Sequence, residues 1–274
     1  MTLVVARRQG SDIYIVADTL ISGGHSSRRT PDYGLKILAI NSQTMVAYAG
    51  SPELAHRLVK EAIDKSACQT HQFLNALYGL REKIGDAELD FIVVEKNGIV
   101  CLKDGLMERD VPAAWIGDAG AFSQFQHMLH ESGDGPLGTR MNRAMEKVCS
   151  STEIDSVGGP FVAAGLTKNE MRYTGLVHLV SPNYFVQPDL GWQTIDFGTA
   201  ATGGFGFTTI LPPRSGLCGW GIYYFQGGCG FYFDVDLSVM KFELLKGYAT
   251  TAEEFCRLLE PEIGYLPVFA GQLG

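Results

Sequence analysis

The chain has 274 residues, 46% hydrophobic and 19% charged, which excludes wholesale disorder and leaves enough length for a sizeable core. Its 22 basic and 30 acidic residues give a formal charge of −8, the wrong sign for coating a nucleic-acid duplex or an anionic membrane. No stretch approaches the roughly 20 apolar residues of a spanning helix, and no basic region followed by an apolar run opens the chain. A cytoplasmic protein with no nucleic-acid or membrane partner is therefore expected.

Residues Thr2 to Ala6 and Asp12 to Thr19 are rich in β-branched side chains and flank the polar Arg7-Arg8-Gln9-Gly10-Ser11, the pattern of a hairpin. A polar loop, Gly23 to Tyr33, leads to Lys36 to Ile40 and Thr44 to Ala49, a second hairpin turning at Asn41-Ser42-Gln43. Ser51-Pro52-Glu53 then supplies a cap, a first-turn proline and an N-terminal acid. Leu54, Leu58, Val59, Ala62 and Ile63 share one helical face, and Phe73, Leu77, Leu80 and Ile84 repeat the period in a second helix.

Strands are expected again at Asp90 to Glu95 and Ile99 to Leu102, turning at Asn97-Gly98, and at Ala113 to Ile116. A second helix pair carries Phe122, Phe125 and Leu129 on one member and Met141, Ala144, Met145 and Val148 on the other. Further strands fit Phe161 to Gly165, Arg172 to Val180, Phe205 to Leu211, Gly221 to Phe225 and Gly230 to Val235. A last helix fits Ala252 to Glu262, capped by Thr250 or Thr251 with Glu253 or Glu254 at the capping-box position.

This order predicts an α+β protein, a four-layer αββα sandwich over residues 1–181 with a β-rich C-terminal extension over 182–274. Two sheets packed face to face would bury both faces of each, which accounts for the nearly unbroken apolar run Ile13-Tyr14-Ile15-Val16-Ala17.

A threonine at position 2 is a special reagent once Met1 is removed, because its own α-amine can act as a base beside its hydroxyl. A nearby ammonium would stabilise the alkoxide, and Lys36 is the candidate, with Asp18 to orient it and keep it charged. An oxyanion also needs a backbone N–H with room around it, which Gly50 offers at the end of its strand. Other signals are weaker. The six cysteines include no CxxC, so no metal site is expected and buried, reduced thiols are. His127 and His130 lie three apart without a completing ligand. Gly203-Gly204-Phe205-Gly206 and Gly227-Gly228-Cys229-Gly230 lack phosphate-loop spacing and read as tight turns.

The stretches Thr2-Leu3-Val4-Val5-Ala6, Ile15-Val16-Ala17-Asp18, Lys36-Ile37 and Ala47-Tyr48-Ala49-Gly50-Ser51 together resemble the proteasome β-subunits and their bacterial relatives, the N-terminal-nucleophile (Ntn) hydrolases. The chain departs from the family's usual Gly-Ser-Gly at Gly117-Asp118-Ala119-Gly120, and from Asp-x-x-Ser-Gly-Gly at Asp155-Ser156-Val157-Gly158-Gly159. Asp118 then stands where a serine helps hold the nucleophile's amine, although it also reads as a helix cap. Asp155 and Ser156 join the candidate site or simply form a loop turn.

The resemblance implies a threonine peptidase acting on peptides or proteins without a cofactor. It also implies a homo-oligomer of ring type and leaves room for an unfoldase partner. Two alternatives stay open: a non-catalytic self-assembling subunit, and a small-molecule amidase on the same fold.

Overall fold

A computed structural model describes residues 2–21, 32–33, 36–41, 43–66, 70–85, 88–159, 161–167, 170–174, 176–182, 185–186, 193–196, 208–211, 214–215, 220–224, 229–236 and 241–269. They form two compact units, Met1–Tyr173 with Thr194–Ile210, and Thr174–Gln193 with Leu211–Gly274.

The first unit opens with β1 (Leu3–Gln9), β2 (Asp12–Asp18), β3 (Leu20–Ile21), β4 (Asp32–Tyr33), β5 (Ile37–Asn41) and β6 (Thr44–Gly50). Helices α1 (Pro52–Ser66) and α2 (Thr70–Lys83) follow. Four more strands, β7 (Leu89–Glu95), β8 (Gly98–Lys103), β9 (Leu106–Val111) and β10 (Ala113–Gly117), lead to α3 (Ala119–Glu131) and α4 (Leu137–Cys149). Strands β11 (Phe161–Thr167) and β12 (Glu170–Thr174) come next. One five-stranded sheet has the order β10-β1-β2-β11-β12 and the other β5-β6-β7-β8-β9.

Alternate residues of a strand face opposite sides, and here both sides are dry. Leu3, Val5 and Val16 join Phe125, Leu129, Met141, Met145 and Val148 of α3 and α4 in one core cluster. On the other side, Val4, Ile15 and Ala17 are also buried, and β1 and β10 lie against β6, β7 and β8. The second sheet carries α1 and α2, which contact β6 and β7; Leu58, Val59, Ala62 and Ile63 form the buried face of α1.

Two expected turns need correction, and one strand, β9, was not expected. β1 continues through Arg7, Arg8 and Gln9 to a turn at Gly10-Ser11, because Gln9 still pairs with Asp12 and Gly10 supplies the positive φ of 62°. The β7–β8 turn is Lys96-Asn97, not Asn97-Gly98, since Gly98 already pairs with Glu95. β9 carries the charged run Glu108-Arg109-Asp110 and has no apolar alternation to betray it. It survives as an edge strand, where charge is an asset against unwanted pairing, and Asp110 accepts a 2.7 Å bond from Arg8.

The short strands β13 (Leu176–Val180), β14 (Phe185–Val186), β15 (Gln193–Asp196), β16 (Thr208–Leu211) and β17 (Arg214–Ser215) follow, so the single expected strand Arg172 to Val180 is two. Then come β18 (Trp220–Tyr224), β19 (Cys229–Asp236), β20 (Lys241–Tyr248), helix α5 (Ala252–Ile263) and β21 (Val268–Phe269). In the second unit the sheet order is β20-β19-β18-β13-β21. Helix α5 packs on β19 and β20, and its Phe255 occupies the space a side chain at Gly230 would need. Tyr223, Tyr232, Phe255, Cys256 and Leu259 form that core.

Thr251 caps α5 by accepting the Glu254 N–H, while Glu254 accepts the Thr250 N–H. The glycine pairs at 203–204 and 227–228 lie outside the described residues, as does most of the 23–33 loop. Among the described residues no helix is long and apolar enough to cross a membrane.

Candidate active site

β1 begins and β2 ends at the same end of their antiparallel ladder, so Thr2 and Asp18 meet there. The Leu3 N–H donates to Asp18 Oδ1 at 2.9 Å. Lys36, immediately before β5, donates from Nζ to Asp18 Oδ2 at 2.9 Å and to the Leu20 carbonyl at 2.6 Å. The Gly158 N–H completes the carboxylate's shell at 3.4 Å, and the Leu20 N–H returns a bond to the Gly158 carbonyl.

Asp18 is 0% and Lys36 1% exposed. Burial pushes the Asp18 carboxyl upward, opposed by the Lys36 charge and the Leu3 N–H. Burial pushes the Lys36 ammonium downward, opposed by Asp18. Each charge is tolerable in this dry setting because the other is present.

The far side of Thr2 is held by the backbone. Leu3 pairs with Gly117 at the end of β10, and the Asp118 N–H donates to the Thr2 carbonyl at 2.7 Å. Gly117 has φ +96°, and a Cβ there would collide with the Thr2 carbonyl oxygen. Sequence reasoning passes over both this steric role and the Leu20 carbonyl; a glycine at a strand-to-helix junction was the available signal.

Asp118 caps α3, accepting the Ala121 N–H at 2.8 Å through Oδ1, and takes the Ser156 hydroxyl at 2.7 Å through Oδ2. These two donors hold its pKa below the usual aspartate range. Cap and Ser156 contact are thus compatible, because they use different oxygens. Asp155 lies exposed in the 155–156 turn and makes no hydrogen bond to this group among the described residues.

Thr2 is 4% exposed and borders a cavity of about 710 Å³ together with Ala49, Gly50 and Gly117. Gly50 ends β6 with φ +121°, and a side chain there would strike the Glu88 carbonyl; only a residue without a Cβ lets the two strands approach so closely here. Among the described residues no group of His, Cys, Asp or Glu could hold a metal ion. Cys101, Cys149 and Cys256 are free thiols.

No family model matches the chain, and no curated protein matches it. Among solved structures, it is similar to the crystal structure of eukaryotic HslV from Trypanosoma brucei, with 16% sequence identity and a TM-score of 0.46. That similarity covers 60% of this chain and 98% of the other.

Proposed function

We propose that the chain is a threonine-dependent amide hydrolase of the N-terminal-nucleophile type, an αββα sandwich followed by a C-terminal extension. The observation that carries the reading is the buried Asp18–Lys36 pair, tied through Asp18 to the residue after a threonine that borders a cavity. A structural ion pair alone has no need of that connection.

With Met1 removed, Thr2 Oγ attacks the scissile carbonyl carbon while its proton passes through water to the α-amine. The carbonyl oxygen becomes an oxyanion held by the Gly50 N–H, and Lys36 stabilises the alkoxide character of Oγ. Collapse of the tetrahedral intermediate breaks the C–N bond, returns the proton to the departing amine and leaves an ester on Thr2. Water, deprotonated by the same α-amine, hydrolyses that ester and restores the hydroxyl. No step calls for a metal or an organic cofactor.

Asp18 positions Lys36. Asp118, with Ser156, fixes the segment that grips the Thr2 carbonyl, and Asp155 contributes through the turn that presents Ser156. Peptides or proteins are the proposed substrates, and a cytoplasmic homo-oligomer, in a ring and served by an unfoldase, is the proposed working form.

The near-complete burial of Thr2 favours a second reading, a non-catalytic assembly subunit. Turnover decides between them. The mature protein should hydrolyse peptide amides, with Thr2→Ala lowering kcat/KM on the order of a thousandfold or more; a Thr2→Ala variant with undiminished activity would overturn the catalytic reading.

A further inference from the structure

Besides Thr2 and its neighbours, the described residues of the cavity wall include the acids Glu82, Glu88, Asp90 and Asp104 and the cations Arg81 and Lys103. Both cations are engaged elsewhere. Arg81 is buried, donating from Nε to the Leu89 carbonyl at 2.6 Å and from a terminal nitrogen to the Gly85 carbonyl at 2.8 Å. The Lys103 ammonium sits 3.3 Å over the Trp115 ring, a cation–π contact. Among the described residues, none of the four carboxylates forms an ion pair.

Glu82, Glu88 and Asp104 are exposed, as solvated rim acids usually are, whereas Asp90 is half-buried. In the β6–β7 ladder Asp90 pairs with Ala49, and Leu89 with Gly50. Directly opposed residues project to the same sheet face, and a Cβ on Gly117 would lie 3.4 Å from the Ala49 Cβ. Asp90 therefore stands on the face that looks toward Gly117, one residue pair from Gly50. Its Oδ1 is anchored by the Asp104 N–H at 3.3 Å, and among the described residues its Oδ2 takes no hydrogen bond. Half-burial, then the neighbouring Asp104 charge, push its pKa upward, opposed by that N–H and by the Lys103 and Arg81 charges.

We infer that this cavity selects substrates with a basic side chain adjoining the scissile amide, and that Asp90 is the specificity-determining residue that receives the ammonium or guanidinium. The inference rests on the reading of Thr2 as nucleophile. Among the described residues, a cation entering the cavity meets four carboxylates and two cations already held by carbonyl oxygens or an aromatic ring. An acidic side chain meets like charge in a partly desolvated space, which discriminates against it.

The test is a set of matched peptide amides varying only Lys, Arg, Leu or Glu on either side of the scissile bond, assayed by kcat/KM. Lysine or arginine should exceed leucine by about tenfold or more, the scale of a charge-assisted hydrogen bond, with glutamate lowest. Asp90→Asn should bring the basic-to-leucine ratio toward one, while Glu88→Gln and Asp104→Asn move it less. Raising the salt concentration should compress the ratio in the unmodified protein, a readout independent of any variant's folding.

Turnover with leucine or glutamate at or above lysine overturns the inference and leaves the nucleophile standing. Absence of all turnover overturns the nucleophile reading instead. The cavity's preference is then read from binding of lysine and glutamate peptides to Thr2→Ala: tighter lysine binding supports the inference, and equal binding overturns it.

Discussion

Asp18 and Asp118 act on opposite sides of one short segment. The Asp18 side chain accepts the Leu3 N–H, and the Asp118 backbone N–H donates to the Thr2 carbonyl. Their environments diverge. Asp18 is wholly buried against Lys36, and burial pushes its pKa up; Asp118 is partly solvated, and the Ala121 N–H and Ser156 hydroxyl pull its pKa down. The same side chain thus serves as the counter-charge of a dry ammonium in one place and as a helix cap in the other. Only the first arrangement holds a buried ammonium, which the role proposed for Lys36 requires.

The largest effect should come from breaking the dry pair. Asp18→Asn strands the Lys36 ammonium and should cost about 3–5 kcal/mol, measured by urea unfolding. The double variant Asp18→Asn/Lys36→Met removes the stranded charge and should be less costly than the sum of the two single changes; additivity would contradict the coupling.

Gly117→Ala comes next, because it adds a side chain at φ +96° against the Thr2 carbonyl. A strained backbone residue costs about 1–3 kcal/mol, so thermal unfolding should shift downward and activity should fall through displacement of Thr2.

Asp118→Ala should cost about 1 kcal/mol, the scale of a lost N-cap. The folded-state pKa of Asp118 is depressed, so its contribution is present above the ordinary value of 3.8 and is lost as pH falls through the folded value. The stability difference between the unmodified protein and Asp118→Ala should therefore narrow below about pH 4. Ser156→Ala is the smallest change, about 0.5–1 kcal/mol, and an NMR titration should show the Asp118 carboxyl moving up toward its ordinary range.

Helix faces and the apolar strands of the opening hairpins were legible from their apolar pattern, whereas the hairpin turns were not, since polar Arg7 to Gln9 and Asn41 still pair across their ladders. Ile13 to Ala17 announced a strand buried on both faces, as Ile15 and Val16 are. β9 was not legible, since an edge strand of charged residues carries no burial pattern, nor was β20, Lys-Phe-Glu-Leu-Leu-Lys-Gly-Tyr, whose adjacent leucines break strict alternation. At the candidate site, Thr2, Asp18, Lys36 and Gly50 could be singled out by side-chain chemistry and element position. The Ser156 contact to Asp118 spans 38 residues, the Leu20 contribution is a backbone carbonyl, and Asp90 gains meaning only from its register opposite Ala49. None of these has a one-dimensional signature.

The central claim is that the Thr2 hydroxyl is the nucleophile, and intact mass spectrometry tests it most directly. The purified protein should lack the Met1 mass and should gain a single adduct on treatment with a peptide epoxyketone, an adduct absent from Thr2→Ala. Retained Met1 with no adduct would contradict the claim, because the free α-amine that the chemistry requires would not exist.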